Sequence, residues 1–144
     1  MRENRRKLIQ LMRALNRIDD QYYRVQRELG LKESLFVLLY MCADGEERSQ
    51  KAICDEWCIP RTTLNTTVKE QEAAGRVELV PCGNKQKLVK LTESGYAYAE
   101  ELLGPLLDAE ERAGAFIDDG LVEGLERFGG QLEREFGEMG DTAS

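Results

Sequence analysis

The chain has 144 residues, of which 42% are hydrophobic, so it is long enough for one domain with a real core and too apolar for general disorder. Its formal net charge of −7 argues at first against a nucleic-acid partner. The charge is uneven, however: residues 48–90 carry eight basic and five acidic side chains, whereas residues 91–144 carry three and fourteen. Because charges act over roughly a Debye length, about 8–10 Å, the basic middle third keeps such a partner possible.

Two observations indicate a cytoplasmic protein. The charged start of the chain is not followed by a hydrophobic leader, because Gln10, Arg13 and Arg17 interrupt the apolar residues. The longest apolar run, Leu35 to Ala43, has nine residues, about half the length of a membrane span. We therefore expect the protein in the cytoplasm, with its four cysteines reduced.

The first segment is predicted to be a helix of about 25 residues that ends at Gly30. Its apolar residues are separated by alternating steps of three and four, which places them on one narrow face. They are Leu8, Leu11, Leu15, Ile18, Tyr22, Val25 and Leu29. A single amphipathic helix needs a second apolar surface to cover this face.

The last segment has a similar face, formed by Leu121, Leu125, Phe128, Leu132 and Phe136. Gly124, Gly129 and Gly130 weaken this helix by roughly 1 kcal/mol each relative to alanine, so it must rely on packing. We therefore expect both terminal helices at a dimer interface, with packing inside one chain as the alternative. The residues expected at that interface are Leu8, Leu11, Leu15, Ile18, Leu125, Phe128, Leu132 and Phe136.

Three shorter helices are predicted between the two terminal ones. Leu35–Cys42 is apolar on every side and should be buried. Ser49 is a good N-cap for a helix over Gln50–Trp57. Pro60 suits the first position of the next helix, which Gly75 should end.

A β-hairpin and a further helix are predicted next. Arg76–Val80 alternates apolar and polar residues and should end at Pro81, while Cys82–Lys87 forms the loop and Leu88–Leu91 the returning strand. Thr92 then caps a helix, in which Gly104-Pro105 is expected to cause a kink or a break.

The segment Ile53–Leu64 has the features of a helix-turn-helix. Such a motif needs a small residue where its helices cross and a tight turn about four residues later, which Cys54 and Cys58 supply. It also needs apolar residues that bury the second helix. These are Ile53, Trp57, Ile59, Leu64 and Val68.

With Leu64 and Val68 buried, the second helix exposes a polar face. That face consists of Arg61, Thr62, Asn65, Thr66 and Lys69, with Thr63 at its edge. Arginine can pair with guanine, asparagine with adenine, and threonine with thymine methyls or phosphates. Any amphipathic helix has a polar face, but four threonines and one asparagine in six positions are poor helix formers. We interpret the face as a DNA contact.

These segments together resemble the MarR family of bacterial transcriptional regulators. The resemblance lies in Ser49–Ile53 with Arg61–Glu70 for the paired helices, in Ala74–Val77 for the junction to the wing, and in Leu88–Gly95 for the strand that leads into the fifth helix. No single motif is diagnostic, but the ordered set covers nearly the whole chain. Four positions depart from the family pattern: Gly83 and Lys85 replace the wing's usual acid and arginine, Gln71 replaces a common leucine, and Cys58 replaces a common glycine.

The resemblance implies a mainly α fold with a small β-hairpin wing, in a single domain over residues 1–144. A winged helix-turn-helix, residues 31–95, would be flanked by long helical dimerisation regions, residues 1–30 and 96–144. Its function would be that of a sequence-specific double-stranded-DNA-binding regulator, with repression favoured, which acts as a homodimer on a pseudo-palindromic operator. Lys85 and Lys87 on the wing would contact the minor groove or phosphates. Further phosphate candidates are Arg48, Lys51 and Lys90.

The resemblance also suggests a small-molecule effector, for which Tyr22, Tyr23, Tyr40 and Trp57 could line a pocket, although such aromatics more often belong to a core. Two alternatives remain open: a winged-helix adaptor for protein binding, and a cysteine-based redox regulator. No enzyme, cofactor or metal site is predicted, because the chain has no histidine, no phosphate-binding glycine loop and no paired CxxC pattern.

Overall fold

The computed structural model describes residues 1–142 and confirms a mainly α fold with a small antiparallel sheet. Its elements in chain order are α1 (Arg2–Leu29), α2 (Glu33–Cys42), β1 (Arg48–Ser49), α3 (Gln50–Trp57), α4 (Arg61–Ala73), β2 (Val77–Cys82), β3 (Gln86–Leu91), α5 (Glu93–Gly114) and α6 (Asp119–Thr142). None of the helices in this described range is both long enough and apolar enough to cross a lipid bilayer.

The contacts between residues group the chain into two compact units, Met1–Gly104 and Pro105–Ser144. The boundary falls inside α5, at the Gly104-Pro105 pair that was expected to kink or break this helix. Of the two expected outcomes, the break is wrong, because α5 continues through Pro105 to Gly114, and the kink stays a prediction. A proline removes one backbone hydrogen bond, and the turns on either side of it keep theirs.

Helix α2 forms the centre of the first unit, as its uniform apolarity predicted. The side chains of Phe36, Val37, Leu38 and Leu39 are at most 3% exposed. Full burial of such a side chain is worth about 1.5–3 kcal/mol, so α2 anchors the elements packed around it. Helices α3 and α4 and strand β3 all contact α2.

Helix α1 ends where the sequence predicted, at Gly30, which has a φ of 64° and donates its N–H to the carbonyl of Arg27. None of the residues of α1 is buried. Ile18 on its apolar face is 54% exposed. Leu29 is exposed as well, whereas the other residues of this face are half-buried: Leu8, Leu11, Leu15, Tyr22 and Val25. The apolar face of α1 is therefore only partly covered in a single chain.

Helix α6 belongs to the second unit and also leaves apolar side chains in solvent. Phe136 is 64% exposed and Leu121 is 48% exposed, while Leu125, Phe128 and Leu132 are half-buried. The predicted apolar face of the last helix therefore exists, and part of it has no cover within its unit.

The helix-turn-helix forms over α3 and α4. Ser49 caps α3 as predicted, because its hydroxyl accepts a hydrogen bond from the N–H of Ala52 at 3.0 Å. Cys58 makes the turn with a φ of 52°. Pro60 is the N-cap of α4 and not its first helical residue, so the predicted start is one residue early. An extended ψ of 135° keeps Pro60 outside the helix.

The sheet has the order β1-β3-β2, and the two-residue strand β1 was not predicted. The hairpin is longer than expected: Pro81 does not end β2, and Cys82 pairs with Gln86. Because β2 lies at the edge of the sheet, a residue without an N–H can be accommodated there. The loop thus shrinks to the turn at residues 83–85.

Candidate nucleic-acid interface

The starts of α3 and α4 and the wing converge on one open groove of about 540 Å³. Its lining residues are Ser49, Gln50, Lys51, Arg61, Thr62, Asn65, Lys85, Gln86 and Lys87. Every charged side chain in this set is a cation. The groove is therefore suited to a polyanion, although the chain as a whole carries a charge of −7.

Apolar spacing explains why α4 presents its polar side. Leu64 and Val68 are fully buried, and Arg61, Thr62 and Lys69 lie in solvent, as the sequence predicted. Thr63 and Thr66 are exposed as well, whereas Asn65 is half-buried on the groove side.

One of the four threonines on α4 has a role in packing. Thr67 is 2% exposed, and its hydroxyl lies 2.7 Å from that of Ser34 on α2. Thr67 also donates to the carbonyl of Thr63 at 3.3 Å. The abundance of threonine was interpreted as a sign of DNA contact alone, so this interpretation is wrong for Thr67.

Three of the four groove cations lack an acidic partner. Lys51 lies 3.3 Å from the carboxylate of Asp55, with both side chains exposed. Within residues 1–142, no carboxylate forms an ion pair with Arg61, Lys85 or Lys87. These three charges remain available to a ligand.

Two of the residues predicted to contact phosphate form ion pairs with carboxylates of the chain. The ammonium of Lys90 lies 3.8 Å from Glu47 and 3.9 Å from Glu78. The guanidinium of Arg48 donates to both carboxylate oxygens of Asp44, at 2.7 and 2.6 Å. Neither Arg48 nor Lys90 lines the groove, and the same holds for Thr63, Thr66 and Lys69 on α4.

The Asp44–Arg48 pair changes the ionisation of both residues. The hydrogen bonds from Arg48 lower the pKa of Asp44 to about 2, and those same bonds raise the pKa of Arg48. The pair therefore keeps its opposite charges over the whole physiological range.

Sequence reasoning did not name Ser49, Gln50 or Gln86 as groove residues. Ser49 was recognised only as a cap, and Gln50 follows it at the first position of α3. Gln86 was assigned to the loop but lies in β3, opposite Cys82. Because neighbouring residues of a strand face opposite sides of the sheet, the alternation next to Lys87 gave no signal for Gln86.

Most of the aromatics proposed for an effector pocket pack directly against one another. The ring centroids of Tyr40 and Trp57 are 5.4 Å apart, and those of Tyr22 and Tyr40 are 6.2 Å apart. Phe36, which was not predicted, stacks on Tyr40 at 5.7 Å. Tyr23 is 57% exposed, and the guanidinium of Arg27 lies over its ring, 5.7 Å from the ring centroid.

The four cysteines fall into two classes. Cys42 and Cys54 are buried, and burial raises the pKa of both thiols, for Cys42 to about 11. Both therefore stay protonated and are poor nucleophiles. Cys58 in the turn and Cys82 beside the wing turn are exposed, in agreement with the predicted exposure of Cys82.

Comparison with solved structures identifies the fold. A MarR family regulator from Neisseria meningitidis is 26% identical with a TM-score of 0.73, and the match covers 92% of this chain and 97% of that chain. The transcriptional regulator BldR from Sulfolobus solfataricus is 20% identical with a TM-score of 0.56, and the match covers 87% of this chain and 96% of that chain. NadR, solved in complex with 4-hydroxyphenylacetate, is 21% identical with a TM-score of 0.54, and the match covers 89% of this chain and 86% of that chain.

No protein-family model and no curated protein matches the chain. The similarity to solved structures nevertheless extends over most of its length, and several of these structures are MarR family regulators and not enzymes. The resemblance seen in the sequence is confirmed at the level of the fold: the chain has the winged helix-turn-helix fold of MarR family structures.

Proposed function

We propose that this protein is a cytoplasmic transcriptional repressor that binds double-stranded DNA sequence-specifically as a homodimer. The observation that carries the proposal is the groove between α3, α4 and the wing, in which every charged side chain is a cation. It lies in a chain with the fold of MarR family regulators.

The contacts divide by their chemistry. Arg61, Thr62 and Asn65 line the groove from the start of α4, where a recognition helix meets base edges, and the exposed Thr63 and Thr66 extend that face. Four cations would contact phosphates or enter the minor groove: Lys51, Lys69, Lys85 and Lys87. Phosphate contacts set the position of the protein, and base contacts set its sequence preference.

The proposed dimer is supported by the partly uncovered apolar faces of the terminal helices. Ile18 on α1 and Phe136 on α6 are each more than half exposed in the single chain, and a second copy would remove them from water. The interface would include Leu8, Leu11, Leu15, Ile18, Leu125, Phe128, Leu132 and Phe136. Two recognition helices about 34 Å apart would then read a pseudo-palindrome.

An aromatic effector is a further part of the proposal. It is supported by the 4-hydroxyphenylacetate bound to the similarly folded NadR. The rings of Tyr22, Tyr40 and Trp57, which were predicted to line the pocket, pack against one another in the single chain. Quenching of the single tryptophan, Trp57, by added aromatic acids would measure binding. An effector should also release bound DNA, and quenching without release would contradict the regulatory role.

The decisive experiment selects bound duplexes from a random pool and then titrates the best duplex against salt. We expect a two-fold symmetric site. If the dimer neutralises about 6–8 phosphates, affinity should fall roughly 10³–10⁴-fold between 50 and 200 mM salt. Weak, salt-insensitive binding without a selected sequence would instead favour the adaptor. Loss of binding on mild oxidation, restored by thiol, would favour the redox regulator.

A further inference from the structure

The guanidinium of Arg48 is engaged in hydrogen bonds within its own chain. Besides the two hydrogen bonds to Asp44, its guanidinium donates to the carbonyl of Met41 near the end of α2 and to that of Glu46 at 3.4 Å. Only 24% of the Arg48 side chain is exposed, compared with 64% for Lys51 in the groove. A phosphate could form a bidentate contact with the guanidinium of Arg48 only by displacing the carboxylate of Asp44, which already occupies that position.

The position of Arg48 in the fold is also informative. Its backbone pairs with Val89 of β3, the strand that carries one side of the wing. The next residue, Ser49, caps α3 and lines the groove. The contacts of Arg48 thus link the end of α2 both to the start of α3 and to the base of the wing.

We propose that Asp44 and Arg48 form a brace that positions α3 and the wing for DNA, and that Arg48 does not itself bind phosphate. The brace consists of the bidentate ion pair and the bond from Arg48 to the Met41 carbonyl. Arg48 is therefore a positioning residue, in contrast to its expected role as a phosphate contact. This inference rests on the proposed DNA binding, but the brace itself can also be tested without DNA.

The two roles predict opposite responses to Asp44→Asn. A phosphate-binding Arg48 would be released by this change, and the loss of a negative charge would strengthen DNA binding. A brace would be weakened, and affinity would fall about three- to tenfold. Glu46→Gln is the matched control: it removes the same charge two residues away, whereas Arg48 hydrogen-bonds to the backbone carbonyl of Glu46 and is attracted only weakly by its carboxylate. We expect Glu46→Gln to leave affinity unchanged or slightly higher.

Arg48→Lys tests the geometry of the fork. Lysine keeps the charge but cannot form the planar bidentate pair, so the brace predicts a similar three- to tenfold loss of affinity. The dependence of log affinity on log salt should keep its slope in Arg48→Lys and Arg48→Ala. Removing a true phosphate contact makes that slope less steep by about 0.9 per chain, which we expect for Lys87→Ala in the groove.

Amide hydrogen exchange tests the brace in the free protein. Asp44→Asn and Arg48→Lys should increase exchange at the N–H of Ala52 and in the β1–β3 pairing, and Glu46→Gln should not. Circular dichroism and thermal unfolding confirm that each variant is folded at the assay temperature. Exchange is read on the folded protein, so it gives a result even where one variant is too unstable for DNA titration.

The outcomes separate the two proposals. Tighter DNA binding by Asp44→Asn, or a lower salt slope in Arg48→Ala, would overturn the brace and restore Arg48 as a phosphate contact. Unchanged exchange in both Asp44→Asn and Arg48→Lys would also overturn it. If the wild-type protein bound no duplex while the exchange pattern appeared as expected, the proposed function would fail and the brace would stand as a structural device.

Discussion

The hydroxyls of Ser34 on α2 and Thr67 on α4 lie 2.7 Å apart and form a buried hydrogen bond. Ser34 is 4% exposed and belongs to the central helix, while Thr67 lies on the inner side of the recognition helix. Because this bond joins two different helices, it helps to fix the rotation of α4 about its axis. That rotation decides which residues of α4 face the groove.

The first prediction concerns this hydrogen bond. Thr67→Val keeps the shape of the side chain but leaves the Ser34 hydroxyl buried without its partner, so we expect a loss of about 1–3 kcal/mol in the free energy of unfolding. Ser34→Ala should cost less, roughly 0.5–1.5 kcal/mol, because Thr67 retains its bond to the Thr63 carbonyl. Urea denaturation measures both. A double variant as costly as the sum of the two singles would contradict a shared bond.

The second prediction compares two helical glycines. A Cβ on Gly95 would lie 1.9 Å from the carbonyl oxygen of Arg76, so Gly95→Ala should destabilise the protein by about 3 kcal/mol or more. Gly137 in α6 has no atom within 4 Å of such a Cβ. Gly137→Ala should therefore stabilise the protein by roughly 0.5–1 kcal/mol. Equal melting temperatures for the two variants would contradict the described contact at Gly95.

The third prediction concerns base recognition. Arg61→Ala and Asn65→Ala should each weaken binding to the selected duplex by roughly 1–3 kcal/mol and relax the preference at one base pair of each half-site. Arg24→Ala is the control, since Arg24 is an exposed arginine on α1 that pairs with Asp20. Electrophoretic titration against matched and mutated duplexes is the measurement. Unchanged binding by both groove variants would remove these residues from the interface.

The fourth prediction is a pH dependence caused by Cys42. Burial raises the pKa of this thiol from 9.0 to about 11, so the unfolded chain loses the proton at lower pH than the folded one. The contribution of Cys42 is therefore complete below pH 9.0 and is lost as the pH rises towards 11. The slope is at most about 1.4 kcal/mol per pH unit. Other groups titrate in the same range, so the difference between wild type and Cys42→Ala isolates the effect. Parallel stability curves above pH 9 would contradict it.

The local chemistry of the fold was accessible from the sequence. The apolar residues of α1, separated by alternating steps of three and four positions, predicted this helix up to Gly30. The cap at Ser49 predicted the start of α3. Both signals depend on residues within one or two helical turns. The buried Leu64 and Val68 gave the exposed face of α4 for the same reason. These predictions need only the periodicity of a helix.

The missing parts depend on partners distant in the chain. Strand β1 exists because Arg48 and Ser49 meet β3 about forty residues later, which no local propensity reveals. The same applies to Thr67, whose partner Ser34 lies 33 residues away. The acceptors of Arg48 are nearby in sequence, but a basic residue beside a predicted DNA-binding helix was interpreted through its charge, and its pairing required coordinates.

The position of Pro81 in β2 has a consequence for assembly. Strand β2 is an edge of the sheet, and a proline on an edge strand discourages an incoming strand from extending the ladder. Growth of the sheet from one molecule into the next is thereby disfavoured on that side. Two copies would therefore have to associate through other surfaces. The hairpin would then stay free to contact a DNA duplex.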